Sequence, residues 1–414
     1  MKLLAVGDMH LGRVPTSLPE AIAGNARALG PEAAWQRSVR LALEQNVEAV
    51  LLAGDVVDRE RDFFAGYDQL RQGVEELLAA GIRVLAIAGN HDTHVLPRLA
   101  DAVSGLELIG RGGRWQAVEL SAGSVVGWSF PTRRVTRSPL AEWTDPGGNR
   151  PRIGLLHCDR DQPDSVYAPV TTGELERSPV DAWLLGHVHR PDLDANDPPS
   201  GYLGSISALR ASEVGARGPW LIRIDEGRVR ATHCALAPLA FEALDLDVGD
   251  LTRADALDAA VLEAGRRAVA DRIEADALPD ALGLRLRLVG EHVEASRLRE
   301  TVETLMENPP VFEESGCRVF AHRLECAFGP KLDLESLARQ PDPAGLLARD
   351  LLLLAGPDSE ARRQLVAEAR ARMNAAGAIS DLHPVAATAS DSQAVEALRR
   401  AGRAALARLM EQRR

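Results

Sequence analysis

The string Gly186-His187-Val188-His189 ends an apolar run and sets two imidazoles two residues apart. In extended chain, residues i and i+2 share a face, so two neutral rings there can serve neighbouring ions, and imidazole is the commonest metal-ligating side chain. Four more apolar runs end in similar chemistry. Leu3 to Val6 leads into Gly7-Asp8-Met9-His10, Val50 to Ala53 into Gly54-Asp55-Val56-Val57-Asp58, Val84 to Ala88 into Gly89-Asn90-His91-Asp92, and Ile153 to Leu156 into His157. Singly, each has an ordinary explanation. Gly-Asp after a strand serves as a turn or a helix N-cap, Asn90 as a turn residue, and His157, beside Leu155 and Leu156, as a hydrogen-bonded core histidine. Five strand ends that jointly yield carboxylates, an amide and imidazoles point instead to a metal centre.

The donor types narrow the ion. Carboxylates, an amide oxygen and imidazoles without thiolate suit manganese first, with iron or zinc as alternatives, and do not suit calcium. There are enough donors for two ions, and one carboxylate can bridge a pair about 3.5–4 Å apart, the arrangement that clamps phosphoryl oxygens and activates water. Phosphoester hydrolysis is the reaction class this implies.

Such donors need elements to position them. Short apolar runs bounded by turn residues read as buried strands, and Trp35 to Glu44 and Asp68 to Ala80 have helical periodicity. Strands alternating with helices imply an α/β fold with a largely parallel sheet, whose sites lie beyond the carboxyl ends of its strands. Every candidate ligand falls at that end.

The ordered set GDMH, GDVVDRE, GNHD, the isolated His157 and GHVH resembles the calcineurin-like metallophosphoesterase superfamily over roughly residues 1–240. Within it, Tyr202 to Ile206 with Glu213, the stretch Gly215 to Ile224, and Trp183 to Pro191 resemble the SbcD and YhaO type of DNA-repair exonuclease. The resemblance implies an αββα sandwich core. It implies that Asp8, His10 and His189 hold one metal, that Asn90, His157 and His187 hold the other, and that Asp55 bridges them. It further implies attack by hydroxide activated at the ion pair, with His91 as the proton donor to the leaving oxygen and Asp58 fixing the His91 ring. Asp92 reads as a helix N-cap and His94 as a turn residue.

Other chemistries find little support. No Walker-type glycine loop followed by Lys-Ser or Lys-Thr occurs, so this chain is not expected to hydrolyse ATP itself. Ser205 and Ser207 lie outside any nucleophile elbow. The four cysteines, at 158, 234, 317 and 326, lack CxxC spacing, which argues against a zinc knuckle or a disulfide framework and fits a reducing cytoplasm. No signal-like or membrane-spanning apolar run is read, so a cytoplasmic location is expected.

The net charge of −12 is unevenly spread: −5 over residues 1–238, −9 over 239–340 and +2 over 341–414. Two divalent ions would nearly neutralise the first segment. Arg133, Arg134, Arg137, Arg160, Arg190, Arg210 and Arg217 lie in or near loops that could face phosphates, or are ordinary solvated arginines.

Three regions are expected: a dimetal phosphoesterase core at 1–238, a small α+β module at 239–340, and a helical region at 341–414. In the module, 241–248, 282–289 and 318–326 read as strands and 254–275 and 295–307 as helices. The resemblance makes it a capping domain. In the last region Leu346, Leu347, Leu351 and Leu354 form one apolar stripe and Val395, Leu398, Leu406 and Leu409 another, with Ile379 to Gln393 between them as a linker. By resemblance these helices grip an SMC-like coiled-coil ATPase of the SbcC or YhaN type, and a homodimer is implied in the same way. The expected function is metal-dependent exonuclease action on DNA ends in repair. The alternatives are a small-molecule nucleotide phosphodiesterase and a scaffold for the ATPase.

Overall fold

Leu3 and Ala5 point to one side of the first strand and Leu4 and Val6 to the other, and all four are buried. A strand covered on both faces belongs between layers, and the computed structural model, which describes residues 1–58, 63–195, 198–377 and 389–411, has that architecture. The chain divides into two compact units. The first comprises Met1–Leu244, Val261–Leu286 and Met306–Leu324, and the second Asp245–Ala260, Arg287–Leu305 and Glu325–Arg414.

In chain order, the strands that build the core are β1 (Lys2–Val6), β2 (Ala49–Ala53), β3 (Arg83–Ile87), β4 (Leu106–Leu108), β5 (Gln116–Leu120), β6 (Gly123–Trp128), β7 (Arg152–His157), β8 (Ala182–Gly186), β9 (Ser200–Tyr202), β10 (Trp220–Asp225) and β11 (Arg228–His233). They form two sheets, ordered β11-β10-β1-β2-β3-β4 and β5-β6-β7-β8-β9. Pairing is parallel from β1 to β4 and from β6 to β9, with antiparallel strands at β10, β11 and β5.

The inner faces meet in a core of Leu3, Ala5, Leu51, Leu85, Val125, Leu155 and Leu184. The opposite faces of the first sheet, including Leu4, Val50 and Val84, pack on Trp35, Val39, Leu70, Val74 and Leu99 from helices Pro31–Gln45, Phe63–Ala79 and Val95–Ala102. Pro31 at the first turn and Asn46, left-handed at φ 49°, delimit the first of these helices. Beyond the second sheet, Trp128, Leu156, Trp183 and Leu185 pack with Leu175 of the short helix Thr172–Arg177. This is the expected α/β sandwich of a metallophosphoesterase core.

Farther along lie β12 (Leu239–Asp247), β13 (Ala281–Val289), β14 (Glu291–His292), β15 (Val311–Glu314), β16 (Cys317–Cys326) and β17 (Gly329–Pro330). An additional four-stranded sheet runs β12-β13-β16-β15, and Phe241 and Phe320 on it meet edge to face at 5.9 Å. Helices Pro343–Ala355, Glu360–Gly377 and Asp391–Glu411 follow. Leu346 is 58% exposed and leaves the expected stripe; the buried line of its helix is Ala344, Ala348, Leu351 and Leu354. Most of the expected linker, residues 379–388, lies outside the described residues. Among the described residues no helix is long and apolar enough to cross a membrane.

Candidate metal centre

Each sheet delivers its donors from the same kind of place, the loop just past a strand's carboxyl end. Asp8 and His10 follow β1, Asp55 and Asp58 follow β2, Asn90 and His91 follow β3, His157 is the last residue of β7, and His187 and His189 follow β8. All nine converge. Three sets have ligand atoms within 4.8 Å of one another: Asp8, His10 and His189; Asp55, His157 and His187; and His10, Asp55 and His91.

Close approach of backbone makes this gathering feasible. A Cβ at Gly89 would stand 2.2 Å from Asp55 Oδ1, and one at Gly186 2.1 Å from the Ala53 carbonyl oxygen. His10, Asp55 and His187 adopt positive φ of 50°, 49° and 100°. Such backbone is costly for residues with a Cβ and persists where the surroundings over-determine it, typically at functional sites.

The donor set fits cations. His157 Nδ1 donates to the Ala53 carbonyl at 3.0 Å, so its Nε2 carries a lone pair. That atom lies 2.9 Å from Asn90 Oδ1, 3.5 Å from Asp55 Oδ2 and 3.3 Å from His187 Nδ1, while His187 Nδ1 lies 3.1 Å from Asn90 Oδ1. On the other side, His10 Nδ1 pairs with Asp58 Oδ1 at 3.1 Å, turning its Nε2 toward His189 Nε2 at 3.0 Å. Acceptor faces acceptor in both places, which is repulsive unless positive charge stands between them.

Electrostatics reflect the same crowding. Burial, with the Asp92, Asp8 and Asp58 carboxylates adding to it, raises the Asp55 pKa well above the usual carboxylate range. Burial also acts upward on Asp8, but His157, His189 and His10 outweigh it and the net shift is downward. Burial and the neighbouring His187 and His10 rings bring His157 down to about 3 despite Asp8, so this ring stays neutral and free to ligate. At Asp58 burial is overcome by the His10 hydrogen bond and nearby cations, and its pKa falls to about 2.

Three expectations change in detail. Asp58 holds His91 through its backbone carbonyl, 3.2 Å from Nδ1; its carboxylate stands 3.8 Å from that nitrogen and closer to His10. Asp92 does not cap a helix, because the helix begins only at Val95. Its buried carboxylate instead accepts from Gly89 N and Val56 N, both at 2.7 Å, tying the loops after β2 and β3 together. Arg217 is buried and does not face phosphate: it donates to the His189 carbonyl, to Ser205 Oγ at 3.1 Å and to the Val214 carbonyl at 3.2 Å, propping the GHVH loop from beneath.

Two carboxylates behind the histidines were not assigned from sequence. Asp159 Oδ1 lies 3.2 Å from His187 Nε2, and Glu213 Oε1 lies 2.8 Å from His189 Nδ1. Asp159 stands two residues past a candidate ligand, a weak signal; Glu213 was singled out only as part of the stretch that carries the resemblance, with no role attached.

A clustered site of Asp, Asn and His at the carboxyl ends of strands in a two-sheet sandwich defines a dimetal-type phosphoesterase. The sequence profile of the calcineurin-like phosphoesterases matches residues 1–191, and this part of the chain belongs to that family. The chain is similar to an uncharacterised metallophosphoesterase, YhaO, of Bacillus subtilis, at 26% identity over 277 residues, 62% of this chain and 65% of that protein. It is similar to the DNA double-strand break repair protein Mre11 of Aeropyrum pernix, 28% over 236 residues, 52% of this chain and 56% of that protein. The Mre11 protein of Haloferax volcanii matches at 28% over 257 residues, 59% of this chain and 55% of that protein. The matches thus span 65%, 56% and 55% of these relatives' lengths. Among solved structures, a dimetal phosphatase from Danio rerio superposes with TM-score 0.37 at 12% identity, covering 57% of this chain and 99% of that one.

Proposed function

We propose that this metallophosphoesterase is a nuclease that trims DNA ends during repair, working as an exonuclease. The observation that carries hydrolysis is the convergence of seven donors, Asp8, His10, Asp55, Asn90, His157, His187 and His189, into two adjoining acceptor-only pockets. The preference for DNA is supported by the similarity to two proteins named for double-strand break repair.

In this reading Asp8, His10 and His189 hold one divalent ion, Asn90, His157 and His187 a second, and Asp55 lies between them, with manganese the best match to the donors. Such a pair supplies an acidified water and neutralises charge on the phosphate. The chain's own residues do the rest. His91 N donates to Asp55 Oδ1 at 2.9 Å, which fixes the carboxylate that both pockets share. The His91 ring is partly exposed and held at Nδ1 by the Asp58 carbonyl, which leaves Nε2 as the atom that would hand a proton to the leaving oxygen. Burial and the nearby His10 ring lower its pKa, and an anionic phosphodiester beside the ring would act in the opposite direction.

The regional division at 238 and 340 belongs to the same proposal: a core, a cap that shapes the approach of DNA, and helices that bind a coiled-coil ATPase. A groove between helices Glu360–Gly377 and Asp391–Glu411 is lined mainly by charged side chains, among them Arg362, Arg363, Arg370, Glu396 and Arg399, beside Val366 and Val395. All four cysteines are free thiols, in keeping with a cytoplasmic location. The test is hydrolysis by purified chain with manganese. Shortening of 3′-labelled DNA together with cleavage of a chromogenic phosphodiester supports the proposal, and activity on mononucleotides alone overturns its DNA component.

A further inference from the structure

The two histidines of GHVH present opposite ring nitrogens to the metal centre. His187 turns Nδ1 inward, toward Asn90 Oδ1 and His157 Nε2, whereas His189 turns Nε2 inward, toward His10 Nε2. Their outward nitrogens each meet one carboxylate, Asp159 Oδ1 on His187 Nε2 at 3.2 Å and Glu213 Oε1 on His189 Nδ1 at 2.8 Å. An ionised carboxylate only accepts. In the neutral ring the outward nitrogen therefore carries the hydrogen, and the inward one is left with its lone pair.

Both carboxylates are themselves anchored. Asp159 accepts from Ser165 Oγ through its second oxygen, and its backbone N–H and C=O bond the Tyr167 carbonyl and the Val170 N–H, each at 2.9 Å. The Tyr167 ring lies 5.1 Å from the His187 ring and limits its rotation. Glu213 Oε2 accepts from Leu209 N at 2.7 Å. Neither carboxylate reaches its histidine by chance contact of a free side chain.

We infer that Asp159 and Glu213 are positioning residues that impose complementary tautomers on His187 and His189, and so set the affinity of each ion pocket separately. This rests on the dimetal reading above. A partner of this kind orients the ring and makes it more basic, and its loss costs about 10–100-fold in metal affinity.

The test uses the full chain with Asp159→Asn and Glu213→Gln, and Asp159→Ala as a second variant at the first position. Manganese titration by calorimetry should show two sites in the unsubstituted chain, and each variant should weaken one of them by about 10–100-fold while sparing the other. Long-range 1H–15N correlation spectra of the metal-free chain give an independent readout. His187 should carry its proton on Nε2 and His189 on Nδ1, and each variant should mix the tautomers of one ring alone. Unchanged affinities with unchanged tautomers overturn the inference. Failure of the unsubstituted chain to bind two ions would strike the dimetal reading instead, with the tautomer spectra still deciding the role of the two carboxylates.

A separate observation lies within the second unit. A cleft of 510 Å³ is lined by Arg299, Arg400, Arg403 and Arg408, with Glu291 the one acidic residue on its wall. Arg403 pairs with Glu291, and Arg299 lies over the Phe328 ring at 4.8 Å while donating to the Phe328 carbonyl. Arg400 and Arg408 are exposed and have no carboxylate partner among the described residues. Eight helical steps separate them, about 12 Å of rise, a span that takes in several phosphates along a strand and exceeds one small anion. We propose that this cleft binds ligands bearing several phosphate groups, foremost a single nucleic-acid strand.

The experiment measures anisotropy of a labelled oligothymidylate, with tripolyphosphate as a second ligand, for the full chain and for Arg400→Ala with Arg408→Ala. The double variant should bind the strand more weakly, with the salt slope reduced by about 1.4, and still hydrolyse a chromogenic phosphodiester at the unsubstituted rate. A loss confined to tripolyphosphate would assign the cleft to free polyphosphate. Unchanged affinity for both ligands overturns the proposal.

Discussion

The two proposed ion pockets differ in where their negative charge comes from. The pocket of Asp8, His10 and His189 has its own carboxylate, and both of its imidazoles are backed by carboxylates, Asp58 and Glu213. The pocket of Asn90, His157 and His187 has neutral ligands apart from the shared Asp55; His157 donates to the Ala53 carbonyl, with Asp8 Oδ1 3.9 Å from the same nitrogen, and His187 is backed by Asp159. Equal numbers of donors therefore do not make equal sites. The Asp8 pocket should bind a divalent cation more tightly and fill first, because an anionic ligand and carboxylate-backed imidazoles both favour it.

Substitutions can break or sharpen this contrast. Asp55→Ala removes the one residue common to both pockets and should abolish turnover and two-ion binding together; retention of either ion at full affinity would show that the pockets do not share it. His91→Ala should keep both ions and lose about 10²–10⁴-fold in kcat, since the ring is read as a proton donor; metal loss measured alongside the rate would make it a ligand. Asp8→Ala should deplete the first ion more than Asn90→Ala depletes the second, as read by manganese titration, and equal losses would erase the asymmetry. In the second unit, Leu351→Ala should cost about 2–5 kcal/mol in denaturant unfolding, whereas Leu346→Ala, at an exposed position of the same helix, should stay within about 0.5 kcal/mol. Neither should alter metal affinity.

How far sequence alone reaches follows from what each residue depends on. The donors at β1, β2, β3, β7 and β8 were legible because each stands at the end of an apolar run, a local signal. The sheet that holds Phe241 and Phe320 was largely legible for the same reason, its longer strands and helices falling within a few residues of expectation, but the short β15 (Val311–Glu314) was not, since four residues of mixed character carry no period. Asp92 looked like a cap because a helix follows it, yet Thr93 and His94 intervene and its partners sit on another loop, at Val56 and Gly89. Glu213 and Asp159 escaped a bottom-up reading because their roles are defined by contacts to rings 24 and 28 residues away. Leu346 failed for a different reason: helical spacing gives a face but not its width, and the adjacent Ala344 and Ala348 take the buried line instead.

The central claim is that these scattered groups form one cradle for two cations. It is tested most directly by the metal content of the full chain after equilibration with manganese and removal of free ion. Two manganese per chain in the unsubstituted protein, falling to one or none with Asp55→Ala, is the expected result. Less than one per chain, or a content that Asp55→Ala leaves untouched, would contradict it.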